Sequence, residues 1–472
     1  MRPSLLRIAL LTVLAQGSVC NRTVILILSH GSTAYDEWLA GECRKSILDQ
    51  DWRGEPPVVV ESGREVAGGP DSAWGHYAVW PIIGRLVSSY PSLQWLLIIE
   101  PETRLDARRL HAALRDARHA DARFRGHGLV DKEPVITHHF FYTEDGEAPF
   151  EYPDFAAGVV LNRSLVVQLA RAAVDRRRSD FTIDPKHEFA RFVLDAGDAR
   201  LHSEPETFCL GGGESDARCA VWFEQQTGAP QSCLDRPKVT VGQLFVAIKT
   251  FSAYHRSRVV VAKRTWTARA RNVVYYSDVE DEYVPTVALG VPNTQRGHCA
   301  KTMAILERAL KESASMSGIR WLVVADDDTL IGLSRLLRWL RCYDSSQPVI
   351  IGERYGYGYG HAGTAGYDYP TGGAGMVFSL SAAQMLHSGC ACPAPDSPDD
   401  MIIGMCARQL GIPIVHAAGM HQARARDYPR PFLTRVAPLS LHKHEGIDPY
   451  DDYMKLLHER EDEGLMAGHD EL

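Results

Sequence analysis

The segment Trp95-Leu-Leu-Ile-Ile-Glu-Pro-Glu-Thr103 aligns without a gap on Trp321-Leu-Val-Val-Ala-Asp-Asp-Asp-Thr329, and this internal match constrains the fold more than any other feature of the chain. Each copy reads as a buried apolar strand, a turn and an amphipathic helix, Leu105 to Leu110 in one and Ile331 to Leu336 in the other. Two further blocks recur in the same order. Tyr152-Pro153 with Gly158-Val-Val matches Tyr369-Pro370 with Gly375-Met-Val, and Pro185-Lys186-His187 matches Pro398-Asp399-Asp400. Three ordered matches at similar separations indicate duplication. The apolar scaffold is kept while the carboxylates differ, so one working site and one degenerate copy are expected.

The length of 472 residues suits two or three domains, and a 45% hydrophobic fraction supports large cores. A net charge of −8 without a basic block gives no reason to expect nucleic acid as a partner. Arg2 and Arg7 flank a short apolar run, Ile8 to Ala15, followed by Gly17 and Ser18, which reads as a signal peptide over 1–20, too short to span a bilayer. His469-Asp470-Glu471-Leu472 matches the retrieval signal of the endoplasmic reticulum, so a soluble lumenal protein recognised by a retrieval receptor is expected, with no stable membrane span. Sequons at Asn21 and Asn162 fit that compartment. The acidic stretch from Glu459 within the tail 459–472 reads as a solvated face.

Ten cysteines in an oxidising lumen are expected to pair mostly with one another. Cys209, Cys219 and Cys233 fall in a Gly-rich stretch, 209–237, read as a stapled linker between domains at 21–208 and 238–458. Cys299 with Cys342, and Cys390 or Cys392 with Cys406, are the candidate pairs elsewhere.

In the second copy, strands are expected at Leu244 to Thr250, Val273 to Asp278 and Trp321 to Ala325, with helices between, hence a largely parallel sheet. Ligands bind such sheets outside the carboxyl ends of the strands, where Lys249, Thr250, Asp278 and Asp326-Asp327-Asp328 fall. Clustered carboxylates repel one another unless a cation sits among them, and their oxygens suit Mn²⁺ or Mg²⁺, which would neutralise a departing diphosphate. The alternative is a helix cap. Asp399-Asp400, opening an apolar helix after Pro398, can supply a general base for displacement at an anomeric carbon. His442 and His444, two apart on a strand, would face one side, and His442 is favoured over His444 as a metal ligand. Tyr355-Gly-Tyr-Gly-Tyr-Gly to Tyr367 reads as a loop able to stack on sugar rings, and Gly372 to Gly375, including Gly373, as a place where backbone approaches a ligand.

Thr265-Trp266, Tyr275-Tyr-Ser-Asp278, His298-Cys299-Ala-Lys301, Asp326-Asp327-Asp328, Gly372 to Gly375, Pro398-Asp399-Asp400 and Leu441-His442-Lys-His444 occur in an order that resembles the fringe-like β-1,3-glycosyltransferases over residues 240 to 450. The duplication with a retrieval tail is similar to the lumenal members that glucosylate O-linked fucose. The resemblance implies an α/β fold with two tandem GT-A type, Rossmann-like nucleotide-sugar domains, the first degenerate. It implies UDP-glucose as donor, Mn²⁺ as metal, and the 3-OH of fucose on thrombospondin type 1 repeat proteins as acceptor. On this chain Asp327 and Asp328 with His442 would hold metal and diphosphate, and Asp326 would orient. Lys249, Thr250, Asp278 and Lys301 would line the nucleotide, and Asp400 or Asp399 would be the base. The nearest rivals are a fringe-like transferase using UDP-galactose or UDP-N-acetylglucosamine, and a lumenal carbohydrate-binding factor without turnover.

Overall fold

The computed structural model describes residues 23–459, apart from residue 30 and the stretches 54–55, 63–75, 117–120, 132–134, 137–140, 143–148, 176–180, 212–215, 225–230 and 359–365. The expected signal peptide, Asn21 and the C-terminal His469 to Leu472 lie outside the described residues.

Among the described residues two mixed sheets frame the molecule. In one the spatial order is His202–Ser203, Phe124–Gly126, Val159–Asn162, Trp95–Ile99, Thr23–Ile27, Val58–Glu61. In the other it is Thr286–Ala288, Val273–Ser277, Leu244–Lys249, Trp321–Asp326, Met376–Ser379, Ile350–Gly352, Ile414–His416. Apart from the Thr286 strand, the two orders correspond strand for strand and sense for sense. The Thr23 and Leu244 strands each run parallel to both neighbours. The Val159 and Met376 strands are antiparallel to both of theirs. The outermost pairs are parallel again.

The correspondence extends to single atoms. Gly158 and Gly375 enter the antiparallel strands with φ of 84° and 86°, a left-handed conformation that favours glycine. Thr103 donates its hydroxyl to the carbonyl of Ala156 at 2.9 Å, and Thr329, its partner in the repeat, donates to Gly373 at 2.8 Å.

The sheets are less uniformly parallel than their composition suggests. Apolar residues fill a strand whenever both its faces are covered, so the unbroken runs that pointed to parallel pairing fit the interior antiparallel Val159 and Met376 strands as well. All six residues of Leu244–Lys249 are buried. Helix Leu333–Leu340 closes one face with Leu333, Leu336, Leu337 and Leu340, spaced i, i+3, i+4, i+7.

Several local expectations change. The Tyr355 to Tyr367 stretch is not all loop: Arg354–Tyr357 and Tyr367–Pro370 are strands that, with Phe181–Thr182 from the N-terminal half, form a small sheet bridging the halves. Alternating Gly and Tyr has the period of a strand with one aromatic face. The Cys- and Gly-rich stretch is not a free connector, because Phe208–Leu210 and Val221–Phe223 pair with each other and with Arg104–Leu105. Four disulfides form among the described residues: Cys209–Cys219, Cys233–Cys342, Cys299–Cys392 and Cys390–Cys406. The Cys299–Cys342 pairing is therefore wrong. Cys299 opens a helix beside the Cys390 to Pro398 segment, whose carbonyls at Pro395 and Ser397 accept from its first turn, and Cys342 lies instead by Cys233. Cys43 is buried and unpaired. Glu459 is no solvated tail residue, since Arg335 and Arg338 both reach it at 2.6 Å. No helix among the described residues is long and apolar enough to cross a membrane.

Candidate active site

Strands Leu244–Lys249 and Trp321–Asp326 end together, with Lys249 opposite Asp326. At the carboxyl ends of these parallel strands lies a cavity of about 650 Å³, lined by Lys249, Thr250, Lys301, the three aspartates and His442, among others. The aspartates do not cap a helix. The chain runs from Asp328 into the short strand Thr329–Ile331, and the next helix begins after its N-cap at Gly332.

Thr329–Ile331 pairs antiparallel with Ser440–His442, which sets His442 opposite Thr329. Its Nε2 lies 3.1 Å from Asp328 and 3.9 Å from Asp326, while Nδ1 meets the carbonyl of Gln422 at 2.8 Å. A histidine held through one nitrogen offers the other in a fixed direction. Ligand atoms of Asp326, Asp328 and His442 all lie within 4.8 Å of one another. Two carboxylates and an imidazole suit Mn²⁺ or Mg²⁺ by donor chemistry.

Asp327, expected to ligate with Asp328, stands outside this group and accepts the Thr250 hydroxyl at 2.6 Å. Asp326 ends its strand and Asp327-Asp328 make the turn to Thr329, and it is this turn, with His442 alongside, that brings Asp328 to Asp326. His444 also lies outside the group. A Cβ at Gly373 would overlap the His442 ring, so this glycine makes room for the imidazole.

Burial pushes the Asp327 carboxyl up to about 7. Burial works in the same direction on Asp328, but the hydrogen bond and charge of His442, with Arg258, outweigh it and hold Asp328 down at about 2. The two neighbours are shifted in opposite directions because Asp328 has the His442 hydrogen bond and the nearer approach of Arg258, whereas the charges of Asp328 and Asp326 add to burial at Asp327.

Pro398 is the N-cap of helix Asp399–Leu410, whose first turn carries both acids. Asp399 is fully engaged: Lys249 reaches it at 2.7 Å and Thr302 at 2.6 Å. Despite burial, the Lys249 charge and hydrogen bond hold it at about 2. Lys249 itself, 3.0 Å from Asp326, is held charged against its burial by Asp326 and Asp399. Among the described residues, Asp400 instead accepts from backbone N–H groups, Met401 at 2.8 Å and Gly372 at 3.3 Å. Burial and the adjacent Asp399 charge push it up to about 6.

Among the other expected residues, Lys301 lines the cavity and donates to the Thr250 carbonyl at 2.8 Å and to Asn293 at 2.7 Å. Asp278 is not one of the lining residues. It accepts from the backbone N–H of Ser252 at 2.8 Å and the hydroxyl of Ser277 at 2.9 Å, so it shapes the loop after Thr250. Asn162 starts a helix, its Oδ1 accepting from Ser164 at 2.9 Å and from the Leu165 N–H at 3.0 Å.

Sequence reasoning missed Arg258. It spans the site, 2.8 Å from Asp328, 3.5 Å from Asp327 and 2.7 Å from Glu445, and stacks over Tyr254 at 4.0 Å. A lone arginine in Ser257-Arg258-Val-Val-Val carries no motif, and only the fold brings it to the aspartates.

The matching position in the first half is built differently. Glu100 takes the place of Asp326, and Arg435 from the second half reaches it at 3.3 Å and Asp154 at 2.9 Å, all three buried or nearly so. Lys186, matched to Asp399, pairs with Asp184 at 3.2 Å. The space at these strand ends is only about 80 Å³, closed by Trp339, Tyr343, Val415 and His416 of the second half.

A cavity at the carboxyl ends of parallel strands, carrying a two-carboxylate and histidine cluster, is a place where an α/β protein can hold a charged ligand, and the comparisons supply the class, an α/β glycosyltransferase. Residues 239–462 match the family model described as Fringe-like. The chain is 43% identical over 444 residues to a β-1,3-glucosyltransferase of Mus musculus, covering 92% of this chain and 86% of that protein. It is 40% identical over 439 residues to the Homo sapiens β-1,3-glucosyltransferase, covering 92% and 84%. Against the mouse β-1,3-N-acetylglucosaminyltransferase lunatic fringe, identity is 26% over 49% of this chain and 68% of that one. The chain belongs to the fringe-like β-1,3-glucosyltransferase family. Among solved structures, a glycosyltransferase involved in the glycosylation of the major capsid of PBCV-1 aligns at a TM-score of 0.27 and 13% identity, over 45% of this chain and 97% of that one.

Proposed function

We propose that this protein is a metal-dependent, inverting β-1,3-glucosyltransferase that moves glucose from UDP-glucose to the 3-OH of fucose O-linked to thrombospondin type 1 repeats. The observation that carries it is the division of labour between adjacent acids. Asp399 is spent on Lys249 and Thr302, whereas Asp400, among the described residues, is bound by backbone N–H groups and rests near a working base's pKa.

In this reading Asp326, Asp328 and His442 hold the cation, Mn²⁺ or Mg²⁺. When bound, it neutralises charge growing on the departing diphosphate. Lys301 and Arg258 add positive charge to the wall on which the phosphates lie, and Thr250 keeps Asp327 turned aside. Asp399 fixes Lys249 and the helix start. Asp400 takes the proton from the acceptor hydroxyl as that oxygen attacks the anomeric carbon from the face opposite the diphosphate.

The two halves are read as tandem GT-A type domains, the first degenerate. The matching strand orders and the paired Thr103 and Thr329 bonds support a common origin, and the closed space beside Glu100 supports loss of donor binding. The sequence signals at both termini favour a lumenal protein of the endoplasmic reticulum. The test is to incubate purified protein with UDP-glucose, Mn²⁺ and a fucosylated repeat and weigh the product. Addition of one hexose is expected; its absence with UDP-glucose and appearance with UDP-galactose or UDP-N-acetylglucosamine would change the donor.

A further inference from the structure

We propose that the aromatic face carried by Phe181, Tyr357 and Tyr367 is the acceptor shelf of this transferase, which puts the N-terminal half in contact with the fucosylated polypeptide; this rests on the reading of the cleft given above. A displacement that inverts the anomeric carbon needs the acceptor on the side away from the diphosphate, and the cluster of Asp326, Asp328 and His442 marks the diphosphate side. In the proposed reading Asp400, the base, marks the acceptor side, and its helix packs on strand Tyr367–Pro370. There is no room between them: a Cβ at Gly404 of that helix would overlap Tyr369.

The strand belongs to the small sheet that joins the halves. Phe181 lies opposite Tyr357, Tyr357 opposite Tyr367, and Tyr355 opposite Tyr369. Cross-strand partners and residues two apart share a face, so these rings form one stripe. Ring centroids are 4.8 Å apart for Phe181 and Tyr357 and 5.8 Å for Tyr357 and Tyr367. At the inner end Tyr355 and Tyr369 are buried, and Met401, next to Asp400, packs on the cluster. At the outer end Phe181, Tyr357 and Tyr367 are only partly buried. After burial, the Asp400 charge is among the influences that raise the phenol pKa of Tyr367 and Tyr369, which places the stripe within electrostatic reach of the base.

A ring that is apolar across its face and wet at its edge suits a ligand with one C–H-rich side and several hydroxyls. A 6-deoxyhexose such as fucose is such a ligand, with a methyl where other hexoses carry a hydroxyl. Tyr367, on the strand that packs against the Asp400 helix, meets the sugar, and Phe181, farther out and supplied by the N-terminal half, meets the polypeptide that bears it.

The experiment compares two acceptors, a fucosylated repeat and a free fucoside, at saturating UDP-glucose and Mn²⁺. Phe181→Ala is expected to raise the KM for the repeat about three- to tenfold, the worth of one aromatic contact, with kcat, the KM for UDP-glucose and the KM for the free fucoside near wild type. Phe181→Tyr, which keeps the ring, restores the repeat KM. Tyr367→Ser raises KM for both acceptors, and it carries the test alone if Phe181→Ala does not accumulate as folded protein. An unchanged acceptor KM in these variants, or a change confined to thermal stability, overturns the shelf while leaving the transferase reading in place. Failure of the wild-type protein to glucosylate either acceptor would overturn that reading instead.

Discussion

Asp399 and Asp400 are adjacent in sequence but differently partnered, and the proposed function divides their roles by what each carboxylate faces. Removing Asp399 strips the buried Lys249 of its shorter ion pair, so Asp399→Ala is expected to cost about 3–5 kcal/mol of stability, measured by denaturant unfolding. Asp400→Asn keeps one of the two backbone N–H contacts, since its amide has a single acceptor oxygen, and strands no buried cation, so it should cost less stability than Asp399→Ala while lowering kcat about 10²- to 10⁴-fold. Equal effects of both substitutions on unfolding would contradict the assignment. A base acts in its ionised form, and the Asp400 pKa is pushed up to about 6, so kcat should fall as pH drops through about 6 and level off above it. A pH-rate profile flat across that range would show that another group accepts the proton. Asp399 adds a linked effect on folding: its pKa is depressed to about 2, so its stabilisation is present above the unfolded value and is lost as pH falls from there towards about 2.

At the scale of elements, the site depends on short pieces that bring distant residues into register. His442 meets the aspartates because a three-residue strand pairs with the one that follows them, and because Gly373 leaves space for its ring. Gly373→Ala should therefore displace the imidazole and weaken Mn²⁺ binding about 10- to 100-fold, as loss of a supporting contact does, in calorimetric titration. Unaltered Mn²⁺ affinity would remove His442 from the metal shell. These elements also show what could be read in the chain beforehand. The strand ends at Lys249 and Asp326 and the helix start at Asp399 were legible, because apolar runs closed by charged residues have a local signature. The grouping of Asp326 with Asp328, the intrusion of Arg258 and the pairing of Cys299 with Cys392 were not, because each depends on side-chain direction or on contacts across more than 60 residues. The Tyr and Gly alternation was misread as a loop because glycine masked a strand's period.

For the whole molecule, the two matching sheets present corresponding strand ends that are built in opposite ways. One keeps an open cavity beside the Asp326, Asp328 and His442 cluster; in the other a guanidinium from the second half lies between Glu100 and Asp154. Glu100 is thereby a structural partner rather than a dispensable remnant. Arg435→Met would leave two carboxylates buried without their cation and should cost about 3–5 kcal/mol. Unfolding in denaturant would measure it, and an unchanged midpoint would mean the halves are held by other contacts. The central claim is that one position alone binds donor and works on it. A crystal structure of the protein with Mn²⁺ and UDP-glucose tests it most directly. The account predicts a single nucleotide sugar in the C-terminal cavity, its diphosphate at Asp326, Asp328 and His442 and its anomeric carbon turned towards Asp400. A nucleotide seated beside Glu100, or one in the C-terminal cavity with its sugar turned away from Asp400, would contradict it.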